Sequence, residues 1–395
     1  MILKKIFLKN FRNYHEAEIN FNSKFNFIYG ENGQGKTNIL EGISYSTLGK
    51  SFLSSAETDC VMFGEDEFKI DTEFENDLEN TDTVTVSYSK ILKSKSIHRN
   101  REKVSVFSSE IFGRFPVVFL SPKSLDITYG NPSERRRFFD MLIAQASRLY
   151  LDYLKELAKI IKQKNALLKS YSVHKKYSRN ELLDLMNSYN IRLTDVSANI
   201  VFKRLNFLNE FKSYFDKNFS FLGSVEQKSS INYYSDIFGN VSEDSEKMEH
   251  GFIRESIGKY ISGKLEDEIS RGLTLAGPQR DDYVFNMYKN INGEKVSFEL
   301  KYFASQGEHK TFVVALKLSE YDYLKDKKST NPVLLLDDVL SELDESRVSR
   351  IISHLKDYGQ IFLTTTEIGY TDNLKEFYED NEISVFKIEN GTVLN

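Results

Sequence analysis

From Ile2 to Ile28 apolar and polar positions alternate, first in IFLKNF and then in AEINFNSKFNFIYG. This two-residue period predicts two strands. The second runs directly into GENGQGKT, and a helix is expected from about Asn38. Between Phe68 and Lys103 the segments FKIDTEFE, TVTVSYS and KSIHRNREKV read as a meander of antiparallel strands with polar turns. PVVFLSP, Pro116 to Pro122, is a short apolar run between prolines, the pattern of a buried strand. From Glu134 to about Tyr171 the period changes. Phe139, Leu142, Ile143, Ala146, Leu149, Tyr153, Leu157, Ile160 and Leu167 fall at helical spacing. A second helical stretch runs from about Leu182 to Phe215. The polar turn SVHKKYSRN joins the two into a hairpin with arms of about 45 Å at the helical rise.

A more acidic region follows to about Lys264, and α/β signals then return. They are the stretch Phe298–Phe303, a helix over 312–324, the strand PVLLLDD, a helix near Ser346–Tyr358, the strand QIFLTTT and a strand pair in ISVFKIENGTVL. Neither end holds enough strands for a complete sheet. Residues 1–130 and 265–395 are therefore expected to form one discontinuous domain, with 131–264 as an inserted helical lobe.

Composition narrows the class. The chain has 395 residues, 40% apolar and 28% charged, which suits a globular protein with a large core. No apolar run approaches a membrane span, and MILKKIFLKNFRNY reads as an amphipathic strand rather than a signal peptide. The expectation is a soluble, cytoplasmic protein with no membrane partner. The single Cys60 excludes an internal disulfide framework and a cysteine-based zinc site. Metal chemistry is left to oxygen ligands, which suits Mg2+. The net charge of −5 is unevenly spread: Ser133–Arg179 carries twelve Lys or Arg against four acids, and Glu57–Asp82 eleven acids against one Lys. Two readings stand, a basic groove on an acidic body and helices with solvated faces.

The strongest motif is Gly30-Glu31-Asn32-Gly33-Gln34-Gly35-Lys36-Thr37, a full G-x-x-x-x-G-K-[ST] after an apolar strand and before a helix. Glycines let backbone N–H groups curl around a phosphate, and the helix N-terminus adds its dipole. The motif assigns Lys36 to the β- and γ-phosphates of ATP and Thr37 to Mg2+. PVLLLDD supplies the partner strand: Asp337 is placed to hold Mg2+ through water, and Asp338 to orient or deprotonate the attacking water. A lone acidic strand end closing a turn competes with this reading; beside the phosphate loop it is the weaker one. SELD, Ser341–Asp344, follows as an N-cap for the next helix. Upstream, FASQGEHKT places Ser305 three residues before Glu308, a capping box at the head of a helix.

The order is phosphate loop, helical insertion, Ser/Gly loop, acid-tipped strand, Ser-x-x-Asp turn and polar-tipped strand. It resembles that of ABC-type ATPases. KNFRNY narrows the resemblance to the SMC-like branch. Together, GENGQGKTNILEGI, FPVVFLSPKSLDITYGNPSERRRFFD, TLAGPQRDDY, FASQGEHKT and PVLLLDDVLSELD resemble the RecF family of DNA-repair ATPases over nearly the whole chain. The implied fold is an α/β ABC-type P-loop ATPase head with an antiparallel β subdomain and an inserted α-helical lobe. The resemblance implies that Arg12 and Asn13 touch the nucleotide, that Ser305 and Gly307 act in trans on ATP held by a second copy, and that Asp344 lies at the dimer seam. It further implies an ATP-dependent homodimer and weak, DNA-stimulated hydrolysis. It implies binding to DNA, duplex and gapped and largely independent of sequence, at gaps or single-strand/double-strand junctions. The partners implied are RecR and, indirectly, RecO and the recombinase RecA, in recombinational repair, replication restart and SOS induction.

The chain departs from the family pattern in places. Glu308 stands where Gln is usual, Lys310 where Arg is usual and Gln279 where His is commoner; the strand ending in Thr364–Thr366 and Glu367 has no histidine. Arg135, Arg136 and Arg137 carry no interleaved aromatics, which fits phosphate contacts without base readout; pairing with acids inside the helical lobe fits equally. A transporter motor subunit and a nucleotide-gated module without turnover are the competing function classes.

Overall fold

The computed structural model describes residues 1–51, 56–172, 177–223, 228–242, 248–291, 294–339 and 345–394. The turn Ser341–Asp344, with the expected seam residue Asp344, lies outside them. The chain divides into two compact units, 1–125 with 313–395, and 126–312.

The first unit holds two sheets. Strands β1 (Ile2–Phe11) and β2 (Tyr14–Asn20) form a hairpin, and β3 (Phe25–Tyr29) follows. The sequence pattern predicted two strands here, and the structure has three. Asn22 makes the break: its Oδ1 accepts from the Lys24 N–H at 2.9 Å, an Asx turn that ends one ladder and lets the next strand join another sheet. The meander is β4 (Glu67–Glu75), β5 (Thr81–Ser89), β6 (Ser94–Arg99) and β7 (Glu102–Lys103), and it pairs antiparallel onto β1. Its alternation matches the burial: Phe68, Ile70, Phe74, Val84 and Val86 point into a core shared with Leu3, Ile6 and Leu8.

The second sheet draws strands from both ends of the chain. β3 lies between β14 (Ile361–Thr365) and β15 (Ile383–Glu389), and β13 (Val333–Asp337) lies between β14 and β8 (Val117–Leu120), all parallel. β16 (Thr392–Leu394) returns antiparallel on β15. Every residue of β13 and β14 is buried, which explains their unbroken apolar runs. Both end on the side where helix α1 (Lys36–Leu48) follows β3.

In the second unit the stretch read as one helix over 134–171 is two, α2 (Pro132–Ala146) and α3 (Arg148–Ser172). Ser147 is extended between them, and its hydroxyl lies in reach of the Tyr150 N–H at 3.4 Å. Helix α4 (Arg179–Leu222) has 44 residues, about 66 Å at the helical rise, and opens on a capping box of Ser178 and Glu181. The acidic region contains β9 (Lys228–Ser235), β10 (Gly239–Val241) and α5 (His250–Gly263). β11 (Asp282–Ile291) pairs with β9 and with β12 (Glu294–Glu299). The return of α/β signals after the acidic region set the expected lobe at 131–264; the second compact unit runs from Asp126 to Phe312, and the β9–β11 ladder binds 282–288 to it. Phe139 anchors this core against Tyr283, Phe207 and Phe211. Arg204, 1% exposed, donates to both oxygens of Asp140 and to the Pro278 carbonyl. Helix α6 (Gln306–Lys328) begins in this unit and ends in the first.

Candidate nucleotide site

The phosphate loop links the buried end of β3 to α1. Gly30, Gly33 and Gly35 have φ of 154°, 79° and 116°. At Gly35 an added Cβ would lie 2.7 Å from the Asn13 amide, so the position needs both glycine's freedom and its lack of a side chain. Glu31, Asn32 and Gly33 are exposed, while Gly35 and Lys36 are buried. Lys36 is 6% exposed, and its ammonium donates to the Gly30 carbonyl at 2.6 Å and to the Glu31 carbonyl at 2.8 Å. Burial lowers its pKa, against the pull of Asp338 and Asp337. A partly dehydrated ammonium inside a ring of backbone groups is chemically suited to an anion.

β13 brings its acids to this loop. The Thr37 hydroxyl lies 2.8 and 3.1 Å from the two Asp337 oxygens, and the Thr364 hydroxyl donates to the same carboxylate at 2.7 Å. Burial raises the Asp337 pKa, opposed by the Thr364 and Thr37 hydrogen bonds. Asp338 has φ 50°, left-handed backbone that few non-glycine residues adopt. Its N–H is tied to the Thr364 carbonyl at 3.1 Å and hydroxyl at 3.0 Å. Two hydroxyls and a carboxylate are hard oxygen donors that fit Mg2+.

The β1–β2 turn closes on the loop from another side. Asn13 donates to the Gln34 carbonyl at 2.8 Å and accepts from Asn38 at 2.8 Å, and the Tyr14 hydroxyl donates to the Gly35 carbonyl at 3.1 Å. Arg12 turns inward. Its guanidinium forks onto Glu41 at 2.7 and 2.6 Å and donates to the Asp59 carbonyl at 2.8 Å. The Glu41 hydrogen bond raises the Arg12 pKa, against desolvation. Glu41 is fully buried; as one acid among the polar positions of a helix it gave no sequence signal.

Ser305 and Gly307 belong to the second unit. The capping box is formed: the Ser305 N–H donates to Glu308 Oε2 at 2.7 Å, its hydroxyl to the same oxygen at 2.9 Å, and the Glu308 N–H points back to the Ser305 hydroxyl at 3.3 Å. Lys289 on β11 adds an ion pair to Glu308 at 2.9 Å and lies over the Phe298 ring. Partial burial pushes the Glu308 pKa up, but the Ser305 and Lys289 contacts prevail and hold it below the usual range. In the arginine triplet, Arg135 forks onto Asp282 at 2.8 and 2.7 Å, Arg136 donates to the Asp281 carbonyl, and Arg137 is half exposed beside Glu134. Of the three, Arg135 pairs with a carboxylate, while Arg136 meets a backbone carbonyl instead of an acid. Among the described residues no helix is long and apolar enough to cross a membrane.

Comparison with known proteins supplies the family. The family model for the RecF/RecN/SMC N-terminal domain matches residues 2–393. The DNA replication and repair protein RecF of Chloroherpeton thalassium is 37% identical over 373 residues, 93% of this chain and 95% of that one. RecF of Bacillus velezensis is 32% identical over 394 residues and the full length of both chains. A solved structure of the recombination mediator protein RecF with ATP, of the RecFOR pathway, superposes with a TM-score of 0.84 at 30% identity, covering 99% of this chain and 98% of that one. The Smc head domain of Pyrococcus furiosus, at 15% identity and a TM-score of 0.56 over 99% and 95% of the chains, shares the fold. The fold is thus the mixed α/β ABC-type ATPase head, and the chain belongs to the RecF family of DNA replication and repair proteins.

Proposed function

We propose that this chain is an ATP-dependent DNA-binding repair protein whose ATP-driven homodimer acts at gaps and at single-strand/double-strand junctions. The observation that carries the reading is the convergence of Thr37, Asp337 and Thr364 with the strained Asp338 beside a complete phosphate loop. The ATP-bound structure of a relative with 30% identity over the whole chain supports it.

In this reading Gly30 to Thr37 bind the ATP phosphates, with Lys36 exchanging its two carbonyl partners for phosphate oxygens. Thr37 and Asp337 hold Mg2+, which supplies neutralisation of charge on the phosphates. Asp338 orients the attacking water or takes its proton. Asn13 supports the loop, and Arg12 acts at the nucleotide if its fork on Glu41 opens. Ser305 and Gly307 serve the nucleotide of a second copy, so binding energy closes the dimer and slow, DNA-stimulated hydrolysis opens it. The RecFOR pathway of the solved relative points to RecR and RecO as partners, and by resemblance the RecA recombinase is the downstream client. The same reading places the protein in the cytoplasm.

Light scattering after gel filtration tests it, with ATP and Mg2+, with and without gapped DNA. The expected result is an ATP-dependent dimer that DNA favours. A monomer at every concentration sinks the ATP-driven dimer.

A further inference from the structure

The C-terminal hairpin of β15 and β16 reaches the phosphate loop, more than 350 residues earlier in the chain. Its two-residue turn is Asn390-Gly391, with φ of 50° and 71°, the left-handed pair that closes a tight hairpin. The Asn390 N–H donates to the Gln34 side-chain Oε1 at 2.5 Å, and the Gly391 N–H donates to the Gln34 carbonyl at 3.0 Å. The same carbonyl accepts from Asn13 at 2.8 Å. Gly391 packs directly on this turn: an added Cβ would lie 2.1 Å from the Asn13 carbonyl oxygen. Gly30 is held by the same strand, since a Cβ there would meet the Ile388 carbonyl at 2.3 Å.

These contacts have a directional consequence. In a planar trans peptide the C=O and the N–H of one unit point opposite ways. Two donors pull the Gln34 carbonyl toward the hairpin and Asn13, so the N–H of Gly35 is turned away from them, to the phosphate side of the loop. The Gly35 carbonyl is in turn held by the Tyr14 hydroxyl at 3.1 Å and the Asn38 N–H at 3.0 Å, which orients the Lys36 N–H in the same manner. The loop's anion-facing amides are therefore aimed by groups outside the motif.

We propose that the Asn390–Gly391 turn is a clasp on Gln34, and that Asn390, Gly391 and Gln34 are positioning residues that pre-organise the phosphate loop. The proposal rests on the loop being the ATP site. Pre-organisation removes an ordering step from binding, so its loss appears in nucleotide affinity rather than in turnover at saturation.

The test uses the full chain titrated with a fluorescent ATP analogue, with phosphate release measured at saturating ATP. Gln34→Ala, at a partly exposed position, removes the side-chain acceptor for Asn390. Gly391→Ala displaces the turn. Each is expected to weaken nucleotide binding about tenfold, the scale of one to two hydrogen bonds, and Gly391→Ala, which lies outside the loop, to keep turnover at saturation within about twofold of wild type. The double variant loses no more than the worse single one, because both break one clasp. Amide exchange at Asn390 speeds up in Gln34→Ala without nucleotide. Wild-type affinity in Gln34→Ala, additive losses, or unchanged Asn390 exchange overturns the clasp while leaving the ATP site standing. Failure of the wild-type chain to bind the analogue overturns the ATP site itself.

Discussion

The hydroxyl of Thr37 lies 2.8 Å from the carboxylate of Asp337, joining the phosphate loop to a strand 300 residues later. Thr364 donates to the same carboxylate, so Asp337 stays oriented when one partner is removed. Thr37→Val keeps the shape and loses the hydroxyl. We expect phosphate release with Mg2+ to fall roughly a hundredfold, the scale of removing one charge-stabilising group. The thermal midpoint without nucleotide should move by only a few degrees, because a single partly buried hydrogen bond contributes about 1 kcal/mol. Turnover at the wild-type rate takes Thr37 out of the metal-binding role.

Asp338 is held in a left-handed conformation by its hydrogen bonds to Thr364. Asp338→Asn preserves the size and the backbone and removes the base. The expected outcome is ATP that binds but is not consumed, so a dimer formed with ATP persists through a second gel-filtration run. Unchanged turnover would mean that another group handles the water.

Glu308 accepts from the Ser305 N–H and hydroxyl and pairs with Lys289, and these contacts hold its pKa below the usual range. A carboxylate that grips the Ser305 hydroxyl competes with a phosphate for it. Glu308→Gln retains an acceptor for the cap and removes the negative charge. ATP-dependent dimerisation should then appear at about threefold to tenfold lower protein concentration. The monomer should lose about 0.5 kcal/mol from the half-exposed Lys289 pair and the weakened cap. An unmoved dimerisation midpoint shows that Glu308 faces away from the nucleotide.

Asp82 ties the meander together: one oxygen accepts from Arg99 and Asn100, the other from Arg114. Burial alone would raise its pKa, but Arg114, Arg99 and Asn100 outweigh it and the value is lowered. A depressed carboxylate contributes stability above its unfolded pKa of about 4 and loses it as pH falls through the folded value. Thermal melts from pH 6 down to pH 3 should therefore show a steepening loss of stability. Asp82→Asn should be less stable at pH 7 by about 1–3 kcal/mol, given the partly exposed arginines, and should flatten the slope below pH 4. Equal slopes in the two proteins would assign the acid sensitivity to other carboxylates.

The predicted elements were most legible where one period ran without interruption. The meander's alternation and the apolar runs of β8, β13 and β14 reappear almost residue for residue, because a strand's burial is written every second position or in every position. Boundaries set by a single polar side chain were lost in the surrounding period. Asn22 divides two strands that the alternation joined, and Ser147 divides two helices that the helical spacing joined. The phosphate loop was visible because its residues are contiguous and its glycines sit where the turn needs positive φ.

By itself, then, the sequence determined the phosphate loop, the acid-tipped strand, the capping box of Ser305 and Glu308, and the family they indicate, since each is a short, local pattern. Only the tertiary structure decided the partners. Nothing local to Arg12 shows that its guanidinium forks onto Glu41, to Arg135 that it pairs with Asp282, or to Gln34 that the last hairpin holds it. Those contacts join residues 29, 147 and 356 positions apart. A charged or amide side chain has the same local pattern whether it meets water or a distant partner, so the choice is made only when the sheets and helices pack.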